Sequence, residues 1–350
     1  MSWRTCRLGD FMTLKRGHDL PEHARLSGEV PVVSSSGITG FHNEAKAKAP
    51  GVVTGRYGTL GEVFYVVEDY WPLNTALYVV DFKGNDPQFS AYLLKNALKD
   101  YQSDKAAVPG IDRNVLHQIE VIAPDLPTQH RVRDLLAAYD DLIENNRRRM
   151  ALLEESARLL YREWFVHLRF PGHEHTRIVD GVPEGWARRP LGDCATLNYG
   201  KALKAEDRIP GEYPVYGSSG IVGTHDKPLA PGPVIILGRK GNVGRVYWSA
   251  KSCYPIDTVY FVDAASSSLY LYYALQHMHF ISTDVAVPGL NRGLAYSREL
   301  LCPKESALSA FIEIVTPIHA QLDKLDEQNQ KLRAARDLLL PRLMSGEITV

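Results

Sequence analysis

The stretch VSSSGITG, Val33 to Gly40, returns later in the same chain as YGSSGIVG, Tyr216 to Gly223. Ser36 and Ser219 hold the same place in the two copies, an offset of 219 − 36 = 183 residues. At that offset Trp3 matches Trp186, and Leu8-Gly9-Asp10 matches Leu191-Gly192-Asp193. Gly55-Arg56 matches Gly238-Arg239, Gly58 matches Gly241, Gly61 matches Gly244, Pro72 matches Pro255 and Thr75 matches Thr258. The register then slips by four, so that Val108-Pro109-Gly110 matches Val287-Pro288-Gly289, and Pro124 matches Pro303, at an offset of 179. A unit of this size is far longer than the roughly 20 to 50 residues of a solenoid repeat, so the chain carries a duplicated domain.

Each copy is followed by a different kind of sequence. After Pro127 there is no Gly or Pro until Pro171, and apolar residues fall at Val132, Leu136, Tyr139, Ile143, Met150, Leu153, Ala157, Leu160 and Trp164. These steps of three and four are a heptad seam, and Pro127 suits a first helical turn. A helix from Pro127 to Trp164 would be about 57 Å long at ~1.5 Å per residue. The second copy repeats the pattern with Phe311, Val315, Ile318, Leu322, Leu325, Leu332, Leu339 and Leu343. Pro317 is expected to kink or restart that helix and Pro341 to end it. One asparagine lies in each seam, Asn146 and Asn329, where a lone polar residue can fix register.

The globular parts read as strands around Gly-rich turns, in GVVTGRYGTLGEVFYVV and PVIILGRKGNVGRVYWS. TALYVVDF and TVYFVDA are further strands, and FSAYLLKNAL and SLYLYYALQHM are helical. The expected fold class is therefore α+β, with two duplicated mixed domains separated by two long helices. The expected bounds are 1–125 for the first domain and 126–170 for a central helix. Residues 171–303 hold the linker PGHEHTRIVDGVPEGW and the second domain, and 304–350 a C-terminal helix. Two such helices can bury their seams on each other. An antiparallel pair would form a coiled-coil rod with pseudo-two-fold symmetry and one domain at each end. Such a rod is long enough to span a turn of B-DNA, roughly 34–36 Å.

Composition bounds the partners. The chain has 350 residues, 45% hydrophobic and 23% charged, as expected for about two globular domains. It has no apolar run long enough for a membrane span, and MSWRTCRLGD has no apolar core of a signal peptide. Cys6, Cys194, Cys253 and Cys302 are scattered without a CxxC pair, which suits reduced thiols in a cytoplasmic protein. The net charge is −1. Residues 1–124 carry 13 basic and 14 acidic side chains, and residues 171–303 carry 13 and 12. Phosphate neutralisation supplies most non-specific DNA affinity, so any DNA binding by the isolated chain is expected to be weak.

The sequence resembles the specificity subunit of type I restriction–modification systems along its whole length. The resemblance rests on the repeated W…LGD openings, SSSGITG and SSGIVG, GRYGTLGEV and GRKGNVGRV, and AVPGIDR and AVPGLNR. It also rests on YREWFVHLRFPG, PEGW and the tail LLLPRLMSGEI. The helix start usual in the family is degenerate in PKESALSAF. The resemblance implies two target recognition domains, each reading one half of a split, asymmetric double-stranded DNA site. The helices would set the gap and dock two methyltransferase subunits. S-adenosylmethionine for adenine methylation would then lie on those partners, and ATP and Mg on two restriction subunits where these join. The chain itself would bind no cofactor and perform no chemistry.

The residues that invite chemistry fall short of it. Gly55, Gly58 and Gly61, like Gly238, Gly241 and Gly244, lack nucleotide-loop spacing and precede a strand, so they suit hairpin turns. His173-Glu174-His175 and His277-Met278-His279 lack zinc spacing. Ser34, Ser35 and Ser36 lack a nucleophile pattern, and ENNRRRM suits a solvated helix face. Also missing is the Asn/Asp-Pro-Pro-aromatic tetrapeptide of amino-methyltransferases.

If the halves read different bases, residues shared by both copies cannot carry the difference. Arg56, Arg113, Arg239 and Arg292 are shared and are assigned to phosphate or structure, as are Ser35, Ser36, Ser218 and Ser219. Readers are sought where the copies diverge. Tyr57 and Thr59 face Lys240 and Asn242, and Lys15, Arg16 and His18 face Asn198, Tyr199 and Lys201. Such side chains discriminate bases by about 1–3 kcal/mol per good bidentate pair. The competing readings are a protein-binding scaffold without DNA readout and a nucleotide enzyme using the glycine loops.

Overall fold

The computed structural model describes residues 3–57, 61–99, 110–280 and 289–350. Gly58, Thr59, Val108, Pro109, Val287 and Pro288 lie outside the described residues. The first copy contains β1 (Trp3–Arg7), α1 (Leu8–Phe11), β2 (Thr13–Arg16), β3 (Val30–Ser34), β4 (Gly37–His42) and β5 (Gly51–Gly55). It continues with β6 (Val63–Val66), β7 (Trp71–Pro72), β8 (Ala76–Asp81), α2 (Pro87–Leu98), α3 (Arg113–Gln118) and β9 (Glu120–Pro124). The long helix α4 (Leu126–Tyr161) and a small hairpin, β10 (Ile178–Val179) and β11 (Val182–Pro183), follow. The second copy runs β12 (Ala187–Pro190), α5 (Leu191–Cys194), β13 (Asn198–Tyr199), β14 (Tyr213–Gly217), β15 (Gly220–His225) and β16 (Val234–Gly238). It ends with β17 (Val246–Ser249), β18 (Tyr254–Pro255), β19 (Val259–Val262), α6 (Leu269–His277), α7 (Arg292–Tyr296), β20 (Glu299–Cys302) and α8 (Glu305–Met344). The class is α+β, with two β-rich domains and two long helices packed together.

The duplication is repeated in the topology. Strand orders β2-β8-β5-β6, β4-β3-β7 and β1-β9 in the first copy become β13-β19-β16-β17, β15-β14-β18 and β12-β20 in the second. The quoted stretches form the β3–β4 and β14–β15 hairpins, whose turns close on Gly37 (φ +94) and Gly220 (φ +100). Such angles carry no penalty only for glycine.

The chain divides into two compact units, and each unit contains part of both long helices. The first joins residues 1–145 to 328–350. Asp86 caps α2 by accepting from the Phe89 amide at 2.7 Å, with Pro87 in the first turn. The buried face of α2 (Phe89, Leu93, Leu94) shares a core with Leu8, Leu14, Val52 and Leu77. Into that core α4 inserts Val132 and Leu136, and α8 inserts Leu340, Leu343 and Met344. Each fully buried side chain of this size contributes about 1.5–3 kcal/mol, so the helix ends belong to the domain core. Polar ties add direction. Arg133 Nη1 meets Asp86 Oδ2 at 2.7 Å, and Tyr92 Oη donates to Asp140 Oδ2 at 2.6 Å. The other oxygen of Asp140 pairs with Arg336, and Arg131 Nε donates to the Val350 carbonyl at 2.8 Å. Residue 131 against 350 and 140 against 336 make the two helices antiparallel in this unit.

The second unit, residues 146–327, is built around aromatic side chains. Phe311 of α8 is fully buried among Tyr161, Trp164 and Phe165 from the end of α4 and Tyr270 and Tyr273 of α6. After Tyr161 the backbone widens into a π-type turn over Arg162–Val166, which ends the regular helix before Trp164. The linker between the copies is folded. Asp180 (φ +50) and Gly181 (φ +72) turn β10 into β11, and the Phe170 and Trp186 rings pack at 4.6 Å.

The structure overturns a restart at Pro317 and an end at Pro341. α8 runs unbroken through Pro317 and Pro341. An interior proline costs about 3 kcal/mol. Buried Phe311, Val315, Leu322 and Leu325 flank Pro317, and buried Leu340, Leu343 and Met344 flank Pro341. At about 1.5–3 kcal/mol each, these outweigh the proline cost. Along the seams, Leu136, Ile143, Asn146, Leu322, Leu325 and Asn329 are buried. Met150, Leu153, Leu160, Leu332 and Leu339 are half-buried.

Candidate nucleic-acid interface

In the first copy the chain leaves β5 as Arg56–Tyr57 and is held on both sides. The Arg56 and Tyr57 amides donate to the Thr75 carbonyl at 2.8 and 3.2 Å, and the Ile111 amide donates to the Arg56 carbonyl at 2.8 Å. Tyr57 bridges Gly110. A Cβ on Gly110 would stand 2.7 Å from the Tyr57 ring, so a larger residue there would displace that ring. Asp112 then caps α3 by accepting from the Asn114 amide at 2.8 Å, which sets Arg113 at the start of that helix. Arg16 ends β2 opposite Leu77. Arg16, Arg56, Tyr57 and Arg113 consequently line one open cavity of about 300 Å³ with Leu77, Ile111, Asp112 and Asn114. The Arg56 guanidinium lies 4.5 Å from the Tyr57 ring centroid.

The second copy repeats this frame. The Arg239 and Lys240 amides donate to the Thr258 carbonyl at 2.9 and 3.0 Å, and the Leu290 amide donates to the Arg239 carbonyl at 2.8 Å. Lys240 bridges Gly289, and Tyr199 ends β13 opposite Tyr260. Here the Arg239 and Arg292 guanidiniums lie 5.1 and 5.0 Å from the Tyr199 ring centroid, within cation–π range. Tyr260 donates to the Leu290 carbonyl at 3.0 Å. Burial, then the neighbouring Tyr199, raises the Tyr260 pKa.

Other candidates fall around or outside these frames. Ser218 shares Thr258 with Arg239, its amide donating to Thr258 Oγ1 at 3.3 Å and its carbonyl accepting from Tyr247 Oη at 3.1 Å. Ser219 shares its hairpin tip, and Lys240, Asn242 and Lys201 are exposed. Ser35 and Ser36 form the tip of the first hairpin, where Ser34 Oγ accepts from the Ser36 amide at 3.1 Å. Lys15 precedes Arg16 on β2 and so points to the opposite face of the strand. His18 approaches Tyr78 Oη at 3.3 Å, and burial followed by Lys15 and Lys46 lowers its pKa. Thr59 lies outside the described residues.

The glycine segments are hairpin connections, β5 to β6 and β16 to β17, with positive φ at Gly61, Gly241 and Gly244. Among the described residues no group of three or more His, Cys, Asp or Glu side chains is placed to hold a metal. No helix among them is long and apolar enough to cross a membrane.

The sequence reading named Tyr199 only as the position facing Arg16, at the 183-residue offset, and missed Asp112 and Asn114. Asp112 and Asn114 gave no signal in the sequence, because the backbone bond from Ile111 to Arg56 is what brings them to the cavity.

A family model described as "Type I restriction modification DNA specificity domain" matches residues 1–155 and 183–292. The MjaIX type I restriction enzyme specificity subunit of Methanocaldococcus jannaschii is 22% identical over 75% of this chain and 68% of its own length. The HindI specificity subunit of Haemophilus influenzae is 21% identical over 80% of this chain and 82% of its own. In fold, the crystal structure of a type I restriction–modification S subunit from M. genitalium covers 98% of this chain and 96% of its own. It does so with a TM-score of 0.59 at 17% identity.

Proposed function

The chain belongs to the type I restriction–modification DNA specificity family, and we propose that each of its domains reads one half of a split, asymmetric duplex target. Its role is DNA specificity, not catalysis. In this reading residues 1–125 and 171–303 are the target recognition domains. The long helices set the gap and dock two methyltransferase subunits, with restriction subunits joining in a complex that cuts. S-adenosylmethionine, ATP and Mg act on those partners.

The observation that carries the reading is one backbone frame built twice with different side chains. Arg16 opposite Leu77 becomes Tyr199 opposite Tyr260, and Tyr57 on Gly110 becomes Lys240 on Gly289. Arg56 and Arg113 stay arginine as Arg239 and Arg292. Shared arginines suit the common backbone of any duplex, and the divergent pair Tyr57 and Lys240 suits different bases. The balanced net charge assigns much of the grip on DNA to the partner subunits.

The test is methylation mapping with the exposed pair Lys240→Ala and Asn242→Ala. The expected result is a motif relaxed in one half, with the other half and the gap unchanged. Relaxation of both halves together would contradict independent half-site reading.

A further inference from the structure

We propose that Arg16, Arg56 and Arg113 form a seat for one backbone phosphate in the first domain, and that Tyr199 abolishes the matching seat in the second. The inference rests on the DNA-reading proposal and adds an inequality between the two halves.

Three guanidiniums line one open cavity of about 300 Å³. Its only lining acid among the described residues is Asp112, and one of that carboxylate's oxygens already accepts from the Asn114 amide. None of the three arginines forms an ion pair among the described residues. Among the described residues the Arg56 guanidinium contacts Tyr57 alone, with the ring centroid at 4.5 Å and the hydroxyl at 3.2 Å, and neither supplies a counter-charge. Like charges gathered without a counter-ion repel, so an anion entering the cavity relieves repulsion as well as gaining hydrogen bonds. The guanidinium fork matches the oxygens of a phosphate. A duplex presents phosphates at every step, so a site built partly from shared arginines needs no particular base.

In the second domain the same two shared arginines are placed differently. Arg239 and Arg292 flank Tyr199, each about 5 Å from its ring centroid. Arg239 also donates from Nη1 to the Asp257 carbonyl at 3.0 Å. The third guanidinium is gone, and an aromatic ring stands at its position in the register. The face of one ring is the cation–π partner of both cations, and no third guanidinium stands beside them to complete a seat for an anion.

Each neutralised phosphate steepens the fall of log K with log salt by about 0.9. The experiment uses the full-length chain, a fluorescent duplex of random sequence, and anisotropy titrations from low to high salt. Arg16→Gln is expected to lower the slope by about 1, so that its affinity falls roughly 4-fold less than wild type over a fourfold rise in salt. The affinity lost at low salt should be alike for unrelated duplexes. Arg16→Lys should restore the slope, and Tyr199→Arg should raise it by about 1. Matching thermal melts establish that the variants are folded, as expected at an exposed strand end. An unchanged slope for Arg16→Gln, or a loss confined to one DNA sequence, overturns the phosphate seat and leaves the DNA reading intact. No salt-dependent binding to any duplex by wild type, either alone or joined to its methyltransferase subunits, would overturn both.

Discussion

Phe311→Ala tests whether the long helices are part of the domain cores or rods laid against them. Phe311 is fully buried. Its ring centroid lies 5.0 Å from Phe165, 6.1 Å from each of Tyr161, Trp164 and Tyr273, and 6.5 Å from Tyr270. Truncating a buried phenylalanine costs about 3–5 kcal/mol through lost transfer energy and the cavity left behind. Edge-on ring pairs add about 0.5–1.5 kcal/mol each beyond area, so the upper part of that range is expected. Urea unfolding followed by the fluorescence of Trp164 and Trp186, which share this core, reads the change. With a slope of about 2 kcal/mol per molar urea, a loss of ~4 kcal/mol moves the midpoint down by about 2 M. Leu338→Ala, at a residue 72% exposed on the same helix, should change stability by no more than about 0.5 kcal/mol. A loss below about 1 kcal/mol for Phe311→Ala would refute the argument that α8 completes the second domain's core.

Two further outcomes follow from single polar contacts. His319 bonds Tyr273 Oη at 2.7 Å, and burial pushes its pKa down to about 4. Because the folded pKa lies below the unfolded value of about 6.5, the neutral ring's contribution is complete above pH ~6.5 and is lost as pH falls towards 4. That is at most about 3 kcal/mol. His319→Gln should flatten this fall between pH 7 and 4, and an unchanged difference between the two proteins across that range would sink the assignment. In the first unit, Asp140 is shared by Tyr92 and Arg336. A double-mutant cycle of Asp140→Ala with Arg336→Ala should give a coupling of roughly 1–2 kcal/mol. A value near zero would remove this pair as a tie between the helices.

Much of the fold was legible because the duplication doubled each signal. A Ser-Ser-Gly hairpin or a Gly-rich turn seen once is ambiguous, whereas the same turns in order at one offset define a domain. The helices were legible from their seams, but not their continuity through Pro317 and Pro341. A local rule about proline competes with the burial of Phe311, Val315, Leu340 and Leu343, which only tertiary contacts supply. The incorporation of helix ends into the domain cores was hidden for the same reason, since residues 340–344 meet α2 from the far end of the chain. At the candidate interface, Arg16, Arg56, Tyr57 and Arg113 were named from alignment of the copies, and the structure brings those four to one cavity. Their convergence could not be read from the chain, because it depends on backbone bonds linking Thr75, Arg56 and Ile111. Net charge was no guide either, since a balanced total of 13 basic and 14 acidic side chains conceals three arginines gathered in one cleft.

The most direct test of the central claim is genome-wide mapping of methylated adenine in the host with and without the gene for this chain. The account expects one split, asymmetric motif to lose its methylation when the gene is deleted and to regain it when the gene is restored. A methylation map that stays the same after deletion, in cells that make the chain together with its methyltransferase, would contradict it.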